Sequence, residues 1–384
     1  MKLLMTCDAV GGVWQYANEL AAGLADAGID IVLAVLGPMR EQHSSGNGPK
    51  TGTGFSDTKF RFGQGSIPAQ GRPGEVLLVE THLPLDWLAA GPDEVLHAGR
   101  TIAALAAEHA VDLVHLNSPA LAAAGPFPAP TVAVAHGCVG TWFAVAEGAA
   151  PPAGLAWHEQ LMLAGLLAAD VVVAPSASYA AAVKHHYALP TSPLVVYNGR
   201  TPAPFVTAGP ADHVLTAGRL WDRVKNTGLL DDVAARLPVP FRAAGPITAP
   251  HGESVATSQL QLLGELNAAA LAAEYGAAPI FVSAATFEPF GLAVLEAAQA
   301  GCPLVLSDID TFRELWTGAA LFVSDQDASA YAAAIARIRS EPGLRAHLGE
   351  AARQRAARYT AAAMAAGMLA IYQDALATPQ RAAA

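Results

Sequence analysis

The sequence lacks several features that would point to common classes of function. It has three cysteines, Cys7, Cys138 and Cys302, which lie far apart without the paired spacing of zinc or redox sites. Lys and Arg number 22 against 33 Asp and Glu, a net charge of -11, so neither nucleic acid nor an anionic membrane is expected as the main partner. No uncharged apolar run is long enough to predict a transmembrane helix. We expect a cytoplasmic protein with reduced thiols, free or peripheral to a membrane.

The glycine fingerprint G-x-G-x-x-G of dinucleotide-binding enzymes is also missing. The first predicted strand, "KLLMT", is followed by Gly11 and Gly12 in "CDAVGGVWQYANEL", and the second strand ends without a clear ribose-binding acid. A nicotinamide-dependent dehydrogenase is therefore disfavoured. The paired glycines would still let backbone N–H groups approach a phosphate where a helix begins at Val13. Many strand-to-helix turns, however, contain glycine for geometry alone.

Short β-branched or leucine-rich runs alternate with alanine-rich helical stretches, which is typical of βαβ units around parallel sheets. In the first half the predicted strands are "KLLMT", "DIVLAVLG", "VLLVE", "DLVHLN", "TVAVAHG" and "VVVAPS". After a Pro- and Gly-rich linker they are "VLTAG", "PFRAAG", "PIFVSA", "PLVLSD" and "ALFVSD". The pattern predicts two doubly wound α/β domains, residues 1–198 and 199–359, facing across a cleft. A helical stretch over 360–384 has no strand left to alternate with.

Residues 39–74 do not follow this alternation. They form a long Gly-, Ser- and Pro-rich stretch without helical periodicity, too long for an ordinary βα connection. We expect a flexible insertion, and the alternative is a loop at the mouth of the cleft that touches an acceptor.

Two cations follow a predicted strand of the second half. Arg219 and Lys225 stand six residues apart in "TAGRLWDRVKN". At the carboxyl end of a parallel strand, where open α/β sheets bind ligands, such a pair suits a diphosphate that is held and then stabilised as it leaves. The alternative is a solvated Arg/Lys pair on a surface loop.

Two carboxylates stand eight residues apart in "TFEPFGLAVLEAAQAG", after the strand "PIFVSA". Pro289 suits the first turn of a helix, so residues 290–292 would offer free backbone N–H groups toward the cleft. Glu288 at the helix entrance and Glu296 two turns further need not converge as an acid/base pair. They suit separate contacts, Glu288 with a sugar and Glu296 with ribose hydroxyls. Alternatively, Glu288 is only a charge on the helix dipole and Glu296 a helix-surface residue.

Several motifs together resemble one known family. They are "GGVWQYANELAAGL", "AHGC", "AGRLWDRVKN", "EPFGLAVLEAAQAGCPLVLSD", "RELW" and "AALFVSDQDASAYAAAI". They look like the retaining GT-B glycosyltransferases of family 4, and the resemblance covers nearly the whole chain outside residues 39–74. It implies two Rossmann-like domains with a final helix that crosses back onto the first. It also implies a hexosyltransferase that uses a UDP- or GDP-linked sugar, retains the anomeric configuration and needs neither a metal nor another cofactor.

The resemblance also implies roles for individual residues. The residues implied in catalysis are His136, Arg219, Lys225 and Glu288. The residues implied in donor binding are Gly11, Gly12, Leu266, Phe290, Gly291, Leu292 and Glu296. Arg219 and Lys225 would grip the diphosphate, Glu288 would face hydroxyls of the transferred sugar and Glu296 would hold the ribose. The backbone near Leu266 would bind the base. His136 would lie near C6 of the sugar and the acceptor, whereas a lone histidine at a strand end is more often structural.

The acceptor side is less defined. Trp14 and Trp142 are candidate stacking platforms for a sugar or an aromatic aglycone, and buried packing is the alternative. The acceptor hydroxyl could belong to a glycan, a lipid-linked group or a small molecule, and the sequence does not indicate an oligomeric state.

Asp308 and Asp310 spell D-x-D, but Asp310 is expected to cap a helix, so no metal site is predicted.

Other classes of function stay open. A GT-B relative with different chemistry, such as an epimerase or a phosphorylase, should show a different carboxylate set or a cofactor lysine, neither of which we can locate. A catalytically silent nucleotide-sugar-binding protein is the third class.

The linker reads "NGRT", with Arg200 and Thr201 where the family usually has "NGVD". This difference bears on the choice of donor more than on the type of reaction.

Overall fold

The chain folds into two parallel-sheet layers with helices on both faces. The computed structural model describes residues 1–9, 11–37, 56–60, 74–204, 209–324 and 326–378. The strands are β1 Lys2–Asp8, β2 Asp30–Leu36, β3 Ser56–Phe60, β4 Val76–Glu80, β5 Leu113–Leu116, β6 Thr131–Val134, β7 Val171–Ala174, β8 Leu194–Val195, β9 Val214–Ala217, β10 Phe241–Ala244, β11 Gln261–Gly264, β12 Ile280–Ser283, β13 Leu304–Ser307 and β14 Ala320–Val323. The α-helices are α1 Gly12–Asp26, α2 Pro92–Glu108, α3 Val139–Ala146, α4 Ala156–Ala168, α5 Ala177–His186, α6 Thr227–Ala234, α7 Ala268–Gly276, α8 Leu292–Gln299, α9 Asp310–Trp316, α10 Ala328–Ser340, α11 Pro342–Ala356 and α12 Ala361–Ala377.

The first sheet has the strand order β3-β4-β2-β1-β5-β6-β7-β8. Its neighbouring strands pair parallel, apart from β3, which runs antiparallel to β4 at the edge. Between β1 and β5 the strand order changes direction, and such a switch point is where open α/β sheets bind ligands beyond the carboxyl ends of their strands. We call β1 to β8 with the helices α1 to α5 the first unit.

The second sheet has the order β11-β10-β9-β12-β13-β14, and its neighbouring strands all pair parallel. Its switch point lies between β9 and β12, the strands that precede the two predicted cations and the two predicted carboxylates. We call β9 to β14 with the helices α6 to α11 the second unit. The prediction of two doubly wound, Rossmann-like α/β units is confirmed.

Interior strands are apolar because helices cover both of their faces. In β1, Leu3, Leu4 and Met5 are fully buried, and they alternate between two hydrophobic clusters on opposite faces of the sheet. Among the helices in the described ranges, none combines the length and the apolar content needed to cross a bilayer.

Three short strands were not predicted. β3 lies within the 39–74 insertion, in "SDTKF", and it gains its hydrogen bonds by pairing antiparallel along its neighbour β4. β8 and β11 also lie at sheet edges, where a strand needs neither length nor a continuous apolar run. Apart from β3 and Gly74, the insertion lies outside the described residues, so its expected flexibility stays a prediction.

The last helix, α12, packs back onto the first unit, as the family resemblance predicted. Met368 and Tyr372 are fully buried in the same cluster as Leu20 of α1. A Cβ atom placed on Gly23 of α1 would lie 2.8 Å from Cβ of Ala365. The glycine therefore allows the two helices to cross closely, and a larger residue would force them apart.

Candidate active site

The predicted donor residues lie at the carboxyl ends of central strands in both sheets. Gly11 and Gly12 follow β1, Arg219 follows β9 and Glu288 follows β12. A Cβ placed on Gly11 would lie 3.8 Å from Nη1 of Arg219, and one on Gly12 would lie 3.5 Å from Cδ1 of Leu292, the first residue of α8. The structure thus brings the glycine turn of the first unit against the arginine and the helix start of the second.

The turn that contains Gly11 and Gly12, here called the glycine turn, has a backbone conformation that favours glycine. Gly11 has φ of +83° and precedes α1, which begins at Gly12, one residue earlier than predicted. Both glycines are exposed. Without side chains, their N–H groups stay accessible at the positive end of the helix dipole, which is a favourable place for a phosphate.

Lys225 and Glu288 form an ion pair in the cleft. Nζ of Lys225 lies 2.6 Å from Oε2 of Glu288, and both side chains are largely buried. Lys225 ends a 3-10 turn, and the N–H of Thr286 donates a 2.8 Å hydrogen bond to the carbonyl of Val224 in that turn. This hydrogen bond links the 3-10 turn to the loop after β12. It places the Lys225 ammonium beside the Glu288 carboxylate, which can accept hydrogen bonds from hydroxyl groups.

Arg219 is anchored by Asp222, which the sequence analysis missed. Nη2 of Arg219 lies 2.8 Å from Oδ2 of Asp222; the arginine is 44% exposed and the aspartate 3%. The other carboxylate oxygen accepts a 2.9 Å hydrogen bond from Nε1 of Trp142, on α3 of the first unit. A buried aspartate thus orients an accessible guanidinium. The position of Asp222 between two cations in "RLWDRVK" was the available signal.

Asp8, at the end of β1, is a second carboxyl group that the sequence analysis missed. Burial and the charge of Asp86 raise the pKa of Asp8 to about 8, against an opposing effect of Arg219. Asp86 itself lies 3.0 Å from Nε2 of His158. Asp8 is therefore mostly protonated at neutral pH, so it adds no second negative charge beside Arg219, which is already paired with Asp222.

The loop before α8 differs from the prediction in detail. The helix begins at Leu292, after Gly291 in a left-handed conformation with φ of +93°. Pro289 therefore lies outside the helix, and the expectation that it occupies the first turn is wrong. Its carbonyl instead accepts a 2.7 Å hydrogen bond from Oγ of Ser176 in the first unit. Of the amides at 290–292, only that of Leu292 belongs to the helix; the side chain of Phe290 is buried in the core of the second unit.

Glu296 is the fifth residue of α8, so it lies little more than one turn from the helix start, not two. Its side chain is 13% exposed and contacts Arg200 of the linker. Burial raises the pKa of Glu296, and the charge of Arg200 opposes this effect. The alternative of a solvated helix-surface residue is therefore wrong.

His136 follows β6 and is held by a polar network in the first unit. Its Nε2 lies 2.8 Å from Oδ1 of Asn117, and Nε2 of His115 lies 2.9 Å from the same oxygen. The amide nitrogen of Asn117 donates to the carbonyl of Thr6, so its oxygen is the acceptor for both rings. Both histidines consequently carry their proton on Nε2, and Nδ1 of His136 is left as an acceptor.

The environment keeps His136 neutral. Burial and the neighbouring His115 lower its pKa to about 3. The ring of Tyr16 packs edge-on against it, with centroids 4.4 Å apart. The next residue, Gly137, faces the donor loop, since a Cβ there would lie 3.7 Å from Cγ of Pro289. His136 thus stands beside the cleft as an uncharged hydrogen-bonding group.

The remaining predicted residues lie around this centre. Trp142 is bonded to Asp222, and Trp14 packs against the buried side chains Ala9, Val35 and Leu78. Both indoles thus have packing roles, and their contact with an acceptor stays a prediction. Leu266 is half-buried after the edge strand β11, which β10 separates from β9.

The D-x-D sequence does not form a paired carboxylate site. Asp308 is bound by Arg313, with Nη2 2.6 Å from Oδ2. Asp310 is the first residue of α9 and Ile309 precedes it as the cap, so the expected capping role is wrong. In the part of the chain that the structure describes, no three His, Cys, Asp or Glu side chains gather as potential metal ligands.

Comparison with known proteins identifies the family. Residues 10–203 match the model described as Glycosyltransferase Family 4, and residues 256–355 match the model described as Glycosyl transferases group 1. A glycogen synthase of Mycobacterium tuberculosis is 26% identical over 379 residues, covering 90% of this chain and 86% of that protein.

Solved structures share the fold at lower identity. Sucrose-phosphate synthase from Thermosynechococcus elongatus superposes with a TM-score of 0.75 at 20% identity, covering 98% of this chain and 99% of that one. HepE of Anabaena, in complex with UDP-glucose, gives a TM-score of 0.67 at 16% identity, covering 97% and 100%. These likenesses confirm the predicted GT-B fold. Since the family 4 model alone matches half of the sequence, the chain belongs to glycosyltransferase family 4.

Proposed function

We propose that the chain is a retaining hexosyltransferase that moves a hexose from a nucleoside diphosphate sugar to an acceptor hydroxyl, without a metal ion. The observation that carries the proposal is the meeting of Arg219, Lys225, Glu288 and the glycine turn at the switch points of the two sheets. Because the Anabaena relative was solved with UDP-glucose, we propose a UDP-linked donor as the first to test.

In this proposal the two cations bind the diphosphate from one side. Arg219 presents an exposed guanidinium that Asp222 orients, and Lys225 presents an ammonium beside Glu288. The amides of Gly11, Gly12 and the start of α8 add partial positive charge. Glu288 accepts hydrogen bonds from hydroxyls of the sugar. The Lys225–Glu288 ion pair therefore contacts the diphosphate through Lys225 and the sugar through Glu288.

The transfer step then breaks the bond between the anomeric carbon and the phosphate oxygen. Negative charge that develops on the leaving diphosphate is stabilised by Arg219, Lys225 and the N-terminus of α8, while the sugar becomes oxocarbenium-like. The acceptor hydroxyl attacks the same face of the anomeric carbon, and its proton passes to the leaving phosphate oxygen. The rival route is a double displacement in which Glu288 attacks the anomeric carbon. The ion pair with Lys225 lowers the nucleophilicity of Glu288 and so disfavours this route.

His136 takes part as a neutral group. Its low pKa excludes an imidazolium at physiological pH, and its Nε2 proton is committed to Asn117. Nδ1 can therefore accept a hydrogen bond from a hydroxyl of the sugar or of the acceptor. We propose that His136 orients a hydroxyl and does not supply a charge.

The two units meet around the proposed site. The hydrogen bonds from Trp142 to Asp222 and from Ser176 to Pro289 both cross between them. Such contacts limit the access of water, which would otherwise hydrolyse the donor. We place the division between the domains after residue 198, and we assign residues 360–384 to the first domain.

The test begins with nucleotide sugars and ends with the stereochemistry of the product. UDP-glucose, GDP-mannose and ADP-glucose are screened for thermal stabilisation, and the best donor is incubated with glucan, lipid-linked and small-molecule acceptors with or without EDTA. We expect nucleoside diphosphate release that requires the acceptor and survives EDTA, with an α-linked product from an α-linked donor. A β-linked product would contradict retention, and loss of activity with EDTA would contradict metal independence. Donor binding without release of nucleoside diphosphate, for every donor–acceptor pair tested, would favour a catalytically silent binding protein.

A further inference from the structure

A largely buried arginine in the linker, Arg200, joins carboxylates of both units. Nη1 of Arg200 lies 3.1 Å from Oε1 of Glu19 on α1, and Nη2 lies 2.9 Å from Oε1 of Glu296 on α8. The side chains of Arg200, Glu19 and Glu296 are 19%, 17% and 13% exposed. One guanidinium therefore connects a helix of the first unit with the carboxylate that we propose to bind the ribose.

The backbone of the linker is held at the same place. The N–H of Arg200 donates a 3.2 Å hydrogen bond to the carbonyl of Tyr359. The carbonyl of Arg200 accepts a 2.9 Å hydrogen bond from Nε2 of Gln299, one turn after Glu296 on α8. The hydroxyl of Thr201 donates a 2.8 Å hydrogen bond to Oε2 of Glu19. These bonds fix the backbone of Arg200 and the side chain of Thr201 beside the two carboxylates.

The charges around Glu296 are unbalanced without the arginine. Two largely buried carboxylates face one guanidinium, and the hydroxyl of Tyr275 on α7 also interacts with Glu296. Burial raises the pKa of Glu296, the charge of Glu19 raises it further, and Arg200 and Tyr275 lower it. Removal of the guanidinium would leave two like charges in a low-dielectric setting, where one of them takes up a proton.

The bridge also retains hydrogen-bonding capacity. Oε1 of Glu296 is ion-paired with Arg200, but within the described ranges it has no hydrogen bond of its own, and neither has Nε of Arg200. Buried polar atoms are usually hydrogen-bonded, so such an exception needs an explanation. The buried Oε1 is thus held by the cation alone, and a ligand hydroxyl can reach the 13% of the Glu296 side chain that stays exposed.

We propose that Arg200 is a positioning residue for the donor, which orients Glu296 toward the ribose and, through Glu19, couples ribose binding to the contact between the two units. The proposal rests on the proposed function, in which Glu296 binds the ribose. Arg200 acts through Glu296 and touches no reacting atom. Its removal should therefore change donor affinity more than the rate of transfer.

The first experiment compares Arg200→Met with Arg200→Lys, which keeps the charge. Binding is measured by calorimetry with UDP and with its 2′,3′-dideoxy counterpart. We expect Arg200→Met to weaken UDP binding about tenfold, the effect of losing a charge-assisted hydrogen bond, to change binding of the dideoxy nucleotide little, and to raise donor KM with kcat nearly kept. Arg200→Lys should lose less. An equal loss for both nucleotides would overturn the proposal.

The second experiment uses pH as a readout that a purely structural role would not produce. Donor affinity should fall as the pH drops through the pKa of Glu296. In Arg200→Met this decline should move to higher pH, because the carboxylate loses its cation. In Glu19→Gln it should move to lower pH, because a like charge is removed. Shifts in the same direction, or none, would overturn the proposal.

Glu296→Gln separates this proposal from the proposed function. If Glu296→Gln leaves UDP binding unchanged, the ribose contact itself is wrong. If Glu296→Gln weakens UDP binding and Arg200→Met does not, only the role of Arg200 is overturned. Thermal melts establish that each variant is folded; should Arg200→Met fail to fold, Arg200→Gln, which also removes the charge, takes its place in both experiments with the same expected results.

Discussion

Trp142 of the first unit donates a 2.9 Å hydrogen bond to Asp222 of the second, and Asp222 holds Arg219 through its other oxygen at 2.8 Å. The arginine that we propose to bind the diphosphate is thus oriented by a buried group that is itself held from across the cleft. Donor binding and the contact between the units share one carboxylate.

Asp222→Asn should lower kcat/KM by about tenfold to a hundredfold, because a charge-assisted hydrogen bond to Arg219 is replaced by a neutral contact. Trp142→Phe, which keeps an aromatic ring but removes the indole N–H, is the control and should cost less. Steady-state kinetics with varied donor measure both effects. Equal kinetics for Asp222→Asn and the unaltered enzyme would refute the role of Asp222.

Arg219→Ala and Lys225→Ala should each lower kcat about a hundredfold or more, as expected for loss of a group that stabilises developing charge. Arg223 lies in the same turn but is 59% exposed in an ion pair with Glu147. Arg223→Ala should therefore change kcat little. The prediction fails if all three variants behave alike.

Ionisation of Asp8 should weaken donor binding at alkaline pH. Its pKa of about 8 means that a negative charge develops near Arg219 as the pH rises past this value. Donor KM should accordingly increase above that pH in the unaltered enzyme. In Asp8→Asn, which cannot ionise, the increase should disappear. A pH profile of donor KM for both enzymes tests this, and an identical alkaline limb would count against it.

His115, which is buried, and His136, which is partly buried, should make the fold sensitive to acid. Burial lowers the pKa of His115 to about 4 and that of His136 to about 3, whereas an unfolded histidine titrates near about 6.5. The unfolded state binds more protons between these values, so stability should fall as the pH drops below about 6.5, by up to ~1.4 kcal/mol per pH unit for each histidine.

Urea unfolding at a series of pH values measures this slope. His136→Gln, which can still donate to Asn117, should reduce it. His251→Asn is the control, since that ring is 45% exposed, and should leave the slope unchanged. A slope unaffected by His136→Gln would show that this histidine does not carry the effect.

The interior of the fold was predictable because interior parallel strands need nearly continuous apolar runs, which the sequence displays from "KLLMT" to "ALFVSD". The edge strands β3, β8 and β11 were not predictable from the sequence, since the formation of an edge strand depends on pairing with its neighbour as much as on its own residues. The start of α8 was placed too early because the left-handed conformation of Gly291, which delays the helix, cannot be read from spacing.

The sequence by itself determined the fold class, the family and the residue types available for a nucleotide sugar. Only the tertiary structure decided which charges meet: Lys225 with Glu288, Arg219 with Asp222, and Arg200 with two glutamates. The physical reason is the range of the interactions. Hydrophobic periodicity is local and repeats along the chain, whereas an ion pair depends on where separate loops end after both sheets and the linker have packed.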